Sequence, residues 1–210
     1  MSEAIRSVTR QEQKERTREA ILASALELSQ ELGFAQVSIR QVTRHAGIVP
    51  AAFYRHFESM EQLGLTLVEQ SFATLRRMIR DAQRDPHVLD NIIDESARVL
   101  VEAVRQNKAH FGFVSRERIG GSPVVREAIR HELDLFVSEL AVVLARLPNI
   151  ENWHSDDVRM ASRLFVRNMV DHAEELAELP VSSDGLEHRI RERARREMRL
   201  IVIGFRDWHS

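Results

Sequence analysis

Apolar residues recur at steps of three and four along nearly the whole chain, and this spacing constrains the fold more than any other feature. One stripe runs through Ile21, Leu22, Ala25, Leu28 and Leu32, and another through Val125, Ala128, Ile129, Leu133, Phe136, Leu140 and Leu144. Such spacing places the apolar residues on one face of an α-helix, whereas a half-buried strand needs strict alternation, which no long segment shows. The sequence therefore predicts an all-α protein with about nine helices.

The few helix-breaking residues divide the chain into two parts. Only 8 Gly and 5 Pro occur in 210 residues; helical segments between Gly33 and Glu58 are short, and those after Ser59 are long. We expect a small N-terminal domain over residues 1–57 and a larger helical bundle over residues 58–210. The long segment that begins near residue 60 carries two apolar faces, so we expect it to be buried on two sides and to join the two parts.

Composition limits the class and location of the protein. The hydrophobic share is 43% and the charged share 30%, values that are ordinary for a soluble globular protein. The longest purely apolar run, Leu140 to Ala145, is too short to cross a bilayer, and the polar N-terminus lacks the apolar stretch of a secretory signal. The absence of cysteine excludes disulfides and thiol chemistry. We expect a cytoplasmic protein that does not bind membranes.

Motifs for catalysis and cofactor binding are missing. The chain has no glycine-rich dinucleotide loop, no phosphate-binding P-loop and no Gly-x-Ser-x-Gly elbow. None of the nine histidines stands four residues from another, so a helical histidine pair for zinc is excluded. The pair Asp171-His172 fits a catalytic dyad, but a hydrogen-bonded core histidine is the simpler interpretation. We expect no enzymatic activity, no metal and no cofactor.

Residues 38–57 carry the strongest functional signal. Ser38 is suited to cap a short helix whose inner face holds Ile39, Val42 and Ala46. Gly47 supplies the positive φ that a tight turn between two crossed helices requires. A second short helix would begin near Pro50, with Phe53 and Phe57 pointing inward. This pattern is typical of a helix-turn-helix, whose second helix enters the major groove of DNA.

The charge distribution agrees with a DNA-binding surface in this region. No acidic residue occurs from Ala35 to Phe57, while Arg40, Arg44 and Arg55 are basic. Residues 1–56 carry a net charge of +2, although the whole chain carries −2. A compact helical hairpin with a solvated basic face would show the same charges, so the motif and not the charge alone supports DNA binding.

Several short motifs resemble the N-terminal domain of the TetR family of bacterial repressors. They are Ile21-Leu22-Ala23-Ser24-Ala25, Leu32-Gly33-Phe34, Ser38-Ile39-Arg40-Gln41-Val42, Ala46-Gly47-Ile48 and Tyr54-Arg55-His56-Phe57. The resemblance implies a dimeric repressor with a three-helix DNA-binding domain and a C-terminal bundle that binds an effector. It implies that the hydroxyl groups of Ser38 and Tyr54 bind the DNA backbone. The residues predicted to contact DNA are Arg18, Ser38, Arg40, Arg44, Val49, Pro50, Ala51, Ala52, Tyr54, Arg55 and His56.

The recognition segment departs from the family pattern. Val49-Pro50-Ala51-Ala52 replaces the more polar residues found in many members, and Glu58-Ser59-Met60 stands where a lysine is common. Few side chains are left for bidentate hydrogen bonds to bases. Contacts of Ala51 and Ala52 with thymine methyls, together with phosphate and shape readout, would then carry specificity.

Apolar residues of the bundle are candidates for an effector site between helices. We predict that the site is lined by Phe72, Leu75, Phe111, Phe113, Phe136, Leu140, Phe165 and Met169. Each of them also fits ordinary core packing.

A second resemblance suggests the effector. Ala52 to Phe57, Glu61 to Thr66 and Arg116 to Ser122 are similar to the TetR subgroup that controls unsaturated-fatty-acid synthesis, which includes the FabR and DesT repressors. It implies long-chain acyl-CoA as effector, with unsaturated chains favouring DNA binding and saturated chains relieving it. Arg116 and Arg118 would bind the CoA phosphates. Arg116-Glu117-Arg118 fits equally well a structural ion-pair cluster that stiffens a turn.

The last two long helices carry apolar stripes that end in Phe205 and Trp208, and we expect them to form the interface of a homodimer that binds a palindromic operator. Three other functions stay open. The chain fits a helical acyl-CoA-binding or carrier protein without DNA function, a TetR-type regulator of a different small apolar effector, or an architectural DNA-binding protein without an effector.

Overall fold

The computed structural model describes residues 2–83, 92–146, 150, 152–180, 184–206 and 208. Within these ranges the chain forms nine α-helices and one 3-10 turn, and no strand, which confirms the all-α prediction. The helices are α1 (Ser2–Leu32), α2 (Ile39–His45), α3 (Pro50–Phe53), α4 (Met60–Gln83), α5 (Ile92–Gln106), α6 (Lys108–Gly120), α7 (Pro123–Leu144), α8 (Ser155–Glu178) and α9 (Asp184–Arg206); the 3-10 turn is Phe34–Gln36.

Local signals in the sequence set several helix boundaries. The Ser38 side chain accepts a hydrogen bond from the Gln41 N–H, and the Gln41 side chain accepts one from the Ser38 N–H, which forms a complete capping box at α2. The Ser122 side chain caps α7 by accepting a hydrogen bond from the Val125 N–H, with Pro123 at the first helical position. Helix α1 ends at Leu32, immediately before Gly33. These predictions are confirmed.

One apolar cluster runs without a break from the N-terminal helices into the bundle. It contains Ile21 of α1, Val42 of α2, Phe53 of α3, Leu67 of α4 and Val125 of α7, all fully buried. Helix α4 is buried on two sides, as its two apolar faces predict, because Leu63 and Leu67 and also Val68 and Phe72 are inaccessible. The division at residue 57 stays a prediction.

The C-terminal helices enclose three smaller clusters. Leu100 and Val104 of α5, Phe111 of α6, Leu176 of α8 and Ile190 of α9 belong to the largest of them. Half-buried residues connect the clusters, since Leu75 also packs against the first one and Met169 packs against two of the smaller ones. The bundle interior is therefore a set of adjoining apolar compartments rather than a single core.

The ends of the last two helices differ from the sequence prediction. Phe205 is only half-exposed, because it packs edge-on against Trp153 at 5.4 Å between ring centres and against Phe165 at 6.0 Å. The chain thus covers much of a residue that we expected to lie open for a partner. The exposed apolar residues of this region are Met160 and Leu164 on α8 and Leu200 and Ile203 on α9, together with Trp208.

None of the helices in the described ranges has the length and apolar character needed to span a membrane.

Candidate nucleic-acid interface

The turn between α2 and α3 is built from short-range hydrogen bonds. The Gly47 N–H donates to the Arg44 carbonyl at 3.2 Å, and the Ile48 N–H donates to the Thr43 carbonyl at 2.9 Å. Gly47 has φ 66°, a conformation that glycine adopts without a steric penalty. Pro50 then starts α3 at a position where no helical N–H is lost. The structure thus contains the predicted helix-turn-helix.

Aromatic packing fixes the orientation of α3. The side chains of Phe53 and Phe57 are buried, with their ring centres 5.8 Å apart, and Phe53 contacts the Tyr54 ring edge-on at 5.6 Å. Burial of Phe53 and Phe57 confirms the predicted inward anchors. Because these anchors hold one side of α3, Tyr54 is left 60% exposed and Val49 66% exposed. The helix offers a small rigid surface with one hydroxyl group.

Most residues predicted to contact DNA lie on the exposed surface of α2, α3 and the adjoining turns. These are Ser38, Arg40, Arg44, Val49, Pro50, Ala51, Tyr54 and Arg55, whereas Arg18, Ala52 and His56 are half-buried. Ala52 was expected to point outward; a one-turn helix that packs against α2 has no fully free side. The role of each of these residues in DNA binding stays a prediction.

Cations from two elements meet beside the end of α3. The Arg18 guanidinium of α1 lies 4.9 Å from the centre of the Phe57 ring, a cation–π contact. Burial, followed by the charges of Lys14 and Arg18, lowers the pKa of His56. The Nδ1 atom of His56 is buried without a hydrogen-bond partner. His56 is therefore neutral near pH 7, and the positive charge here comes from Lys14, Arg18 and Arg55.

A buried carboxylate joins the DNA-binding helices to the bundle. Glu117 of α6 is 2% exposed, and its Oε1 accepts a hydrogen bond of 2.8 Å from the backbone N–H of Phe34. Burial raises the pKa of Glu117, although the Phe34 N–H and the charge of Arg116 act in the opposite direction. Helix α6 ends at Gly120, and a Cβ on the following Gly121 would stand 2.5 Å from the Glu117 carbonyl oxygen. Only glycine fits this close approach.

Three neighbouring contacts strengthen the same junction. Arg116 Nη1 donates to the Ser29 carbonyl at 2.8 Å and to the Gln30 carbonyl at 2.5 Å, near the C-terminal end of α1. Gln30 Nε2 donates to the Ala109 carbonyl at 2.9 Å. The Phe34 and Phe113 rings meet edge-on at 5.7 Å. Sequence reasoning placed Glu117 in a charged cluster with Arg116 and Arg118, but it predicted neither its bond to Phe34 nor any role for Gln30. The position of Glu117 four residues after Phe113, on the same face of α6, was the available signal for its burial.

The residues predicted to bind the acyl chain are distributed over several apolar clusters. Phe72, Phe113 and Phe136 pack in the cluster shared with the N-terminal helices, Phe111 packs beside α8 and α9, and Leu140 packs near Trp153. Leu75, Phe165 and Met169 lie at the edges of the clusters. The effector role of these eight residues stays a prediction.

The two arginines predicted to hold CoA phosphates have partners within the chain. Arg116 binds the α1 carbonyls described above, and Arg118 Nη2 lies 2.6 Å from Glu174 Oε2 of α8. These bonds favour the alternative in which Arg116 and Arg118 have a structural role. They connect α6 to α1 and α8, whereas the alternative expected them to stiffen one turn. A phosphate ligand would have to compete with these bonds.

Two surface clefts lie elsewhere. One, of about 340 Å³, runs between the end of α8 and the start of α9 and is lined by Glu175, Glu178, Leu179, Leu186, Arg189, Ile190 and Arg193. The other, of about 320 Å³, lies along the outer face of α8. None of the predicted effector residues lines either cleft.

Histidine and acidic residues do not form a metal site in the described part of the chain. His172 is buried, and its Nε2 lies 2.9 Å from Glu197 Oε2 of α9 and 3.5 Å from Asn168 Nδ2. The neighbouring Asp171 is exposed. The pair Asp171-His172 is therefore not a dyad; His172 is a core histidine held by another helix.

Comparisons with known proteins agree with this geometry. Residues 21–65 match the sequence model of the bacterial regulatory proteins of the tetR family. A TetR-family regulator from Syntrophomonas wolfei shares the fold with a TM-score of 0.70 at 19% identity, covering 90% of this chain and 96% of that one. The fatty acid degradation regulator FadR from Bacillus halodurans gives 0.67 at 12% identity, covering 85% and 94%.

A third structure adds a ligand-bound example of the same fold. FadR from Thermus thermophilus, a TetR-family repressor in complex with lauroyl-CoA, gives a TM-score of 0.61 at 18% identity, covering 92% of this chain and 97% of that one. The family match thus falls on the segment that contains the helix-turn-helix, and the solved structures share the helical fold of the chain.

Proposed function

We propose that the protein is a transcriptional repressor of unsaturated-fatty-acid (desaturase) genes, whose affinity for a palindromic operator is set by bound long-chain acyl-CoA. The observation that carries the DNA-binding part is the exposed surface of α2 and α3, capped by Ser38 and free of acidic residues from Ala35 to Phe57. Phosphate contacts supply most of the affinity of such proteins, so a local surface without carboxylates matters more than the net charge of the chain.

Long-chain acyl-CoA is the effector that the bundle and its relatives favour. Burial of an acyl chain contributes about 0.8 kcal/mol per methylene, and the adjoining apolar clusters joined by Leu75 and Met169 offer such an environment. The FadR structures named above show that this fold serves fatty acid regulation and holds lauroyl-CoA in one member. A ligand shifts the DNA-binding equilibrium only by its differential affinity for the two states.

The direction of the response is the one that the resemblance to the unsaturated-fatty-acid subgroup implies, and the shape of the acyl chain makes a difference between the ligands possible. A cis double bond bends the chain, so saturated and unsaturated chains fill a helical bundle differently. In this proposal unsaturated chains favour the DNA-bound state and saturated chains relieve it. The ratio of the two in the cell then sets the expression of the regulated genes.

A homodimer through α8 and α9 is part of the proposal, and the charges of α8 support it. Exposed Arg159, Arg163 and Arg167 follow the N-terminal half of α8, and exposed acidic residues follow its C-terminal half at Asp171, Glu175 and Glu178. When two α8 helices cross antiparallel about a two-fold axis near residue 169, Arg167 faces the partner's Asp171 and Arg163 faces the partner's Glu175. Exposed Met160 and Leu164 on α8 and Leu200 and Ile203 on α9 then become buried.

The test is the fluorescence anisotropy of a labelled duplex taken from the region upstream of the gene that encodes this protein. The protein is titrated alone, with palmitoyl-CoA and with oleoyl-CoA. We expect affinity to rise with oleoyl-CoA and to fall with palmitoyl-CoA. Free CoA serves as the control for the phosphate groups, and a duplex of unrelated sequence serves as the control for specificity.

Other outcomes separate the alternatives. DNA binding that responds to neither ligand refutes the acyl-CoA effector, which leaves a repressor of another effector or an architectural protein. Binding of acyl-CoA without binding of any duplex at low salt refutes the repressor and identifies a helical acyl-CoA carrier.

A further inference from the structure

The N-terminal part of α1 lies outside the region that matches the family and outside the helix-turn-helix. We propose that its basic face is a second DNA-binding surface, on which Arg10, Lys14 and Arg18 bind phosphates of the duplex that flanks the bases under α3. The proposal extends the DNA-binding function argued above and rests on it.

The three cations share one side of the helix. Arg10, Lys14 and Arg18 are four residues apart, and such residues form a continuous stripe along an α-helix. The acidic residues Glu12, Glu15 and Glu19 are centred about 130° away around the helix at 100° per residue. One face of the helix therefore carries only cations, whereas Arg16 lies among the acidic residues on the other side.

The basic face continues the surface of the helix-turn-helix. Arg18 lies over the Phe57 ring, at the end of the segment that contains Tyr54 and Arg55. Burial is the main cause of the lowered pKa of His56, and Lys14, one turn earlier, is close enough to lower it further together with Arg18 and Arg55, while Glu15 acts in the opposite direction. Arg10 follows one further turn toward the N-terminus. The stripe therefore begins beside α3 and leads away from it.

This part of α1 packs against nothing in the chain. Residues 10–16 are all exposed, and no apolar side chain occurs from Arg10 to Glu19. Only local bonds support it, such as Gln11 Nε2 to Glu15 Oε1 at 3.2 Å and Thr17 Oγ1 to the Gln13 carbonyl at 2.9 Å. A helix that is polar on every side is not held by burial against its own chain, so both of its faces stay accessible to a partner.

The chemistry of the stripe fits a nucleic acid better than a membrane. Helices that bind membrane surfaces combine basic residues with a large apolar face, which this segment lacks. From Arg10 to Arg18 the stripe spans about 12 Å at 1.5 Å per residue, which matches about three to four base pairs at 3.4 Å per nucleotide of one strand. The flexible arginine and lysine side chains suit phosphates and carry no sequence information.

The test compares charge-removing variants on two duplexes. The variant Arg10→Gln/Lys14→Gln removes two cations of the stripe, and Arg16→Gln removes an exposed cation of the same helix that is not on the stripe. Glutamine has nearly the helix propensity of arginine and lysine, so α1 is retained. The dissociation constant is measured as a function of salt concentration on two duplexes. One is trimmed to the base pairs that the wild-type protein protects from nuclease, and the other is extended by about six base pairs at each end.

We expect the double variant to lower the slope of log K against log[salt] by about 2 per bound protomer on the extended duplex. On the trimmed duplex the change should be much smaller, and Arg16→Gln should resemble the wild type on both. If the double variant keeps the wild-type slope on the extended duplex, or if its slope falls equally on both duplexes, the proposal is wrong. The DNA-binding function is not affected by either result, provided that the wild type binds the duplexes. Failure of the wild type to bind either duplex refutes the DNA-binding function itself. If the double variant binds both duplexes like the wild type but no longer binds phosphatidylglycerol vesicles that the wild type binds, the basic face is a membrane-binding surface and the proposal is wrong.

Discussion

At the scale of single residues, Tyr54 illustrates how the fold separates packing from binding. Its ring contacts Phe53 edge-on, while more than half of the residue is exposed. The change Tyr54→Phe keeps the ring contact and removes only the hydroxyl. We expect a loss of about 0.5–1.5 kcal/mol in DNA binding, up to about tenfold in Kd, because one backbone hydrogen bond is missing. The loss should be equal for the upstream duplex and an unrelated duplex, measured by anisotropy.

Ala52→Asp tests the neighbouring surface with the opposite chemistry. A carboxylate beside the phosphates, at a half-buried position of α3, should abolish binding to both duplexes. Ala73→Asp introduces the same charge on an exposed site of α4 and should leave binding intact. A Tyr54→Phe protein with changed base preference and full affinity for unrelated DNA would contradict the assignment of its hydroxyl to the backbone.

At the scale of elements, the sign change along α8 makes a prediction about assembly. Arg167→Asp replaces two attractive contacts across the two-fold axis with two repulsive ones. Exposed ion pairs contribute about 0.2–1 kcal/mol each, so we expect the dimer to weaken by about tenfold. The double variant Arg167→Asp/Asp171→Arg restores opposite charges at both positions and should restore the dimer. Sedimentation equilibrium measures both.

The charge swap also provides its own control within the helix. Arg167 and Asp171 are four residues apart, so the swap preserves the intrahelical pair. A double variant that dimerises as weakly as Arg167→Asp would show that α8 does not cross its copy in this register. The apolar residues exposed on α9 would then have to form the interface without it.

At the scale of the whole molecule, Glu117 of α6 connects the N-terminal helices to the C-terminal bundle through its bond to Phe34. Burial raises its pKa in the folded state, so the folded protein binds this proton more tightly than the unfolded chain. The free energy of unfolding therefore falls as the pH rises from the unfolded value near 4.5 through the folded pKa. Glu117→Gln keeps an oxygen to accept the Phe34 N–H and has no charge to bury, so this part of the pH dependence should disappear.

Urea unfolding between pH 4.5 and 8 checks this prediction. The control is Glu117→Ala, which leaves the Phe34 N–H without a partner and should be less stable than Glu117→Gln by about 1–3 kcal/mol at every pH. Above the folded pKa, Glu117→Gln should be at least as stable as the wild type. Parallel pH profiles for Glu117→Gln and the wild type would mean that the carboxylate is not a source of the pH dependence.

The sequence by itself determined the helices, their caps and the helix-turn-helix. These features depend on residues only a few positions apart: the apolar spacing, the Ser38 and Ser122 caps and the turn at Gly47. They can therefore be predicted from the sequence alone. The same local logic identified Phe53 and Phe57 as the inward anchors of α3. It also indicated which arginines lie on the exposed face of α2.

Only the tertiary structure decided how these helices meet. The bond from Phe34 to Glu117 joins residues 83 positions apart, and the bond from Arg116 to Ser29 joins residues 87 apart. His172 lies against Glu197 rather than Asp171, and Trp153 covers much of Phe205. Periodicity shows that a residue belongs to a buried face, but the partner across that face depends on the packing of whole helices. For this reason the sequence predicted a charged cluster at Arg116 and Arg118, but it could not predict the bonds of these arginines to α1 and α8.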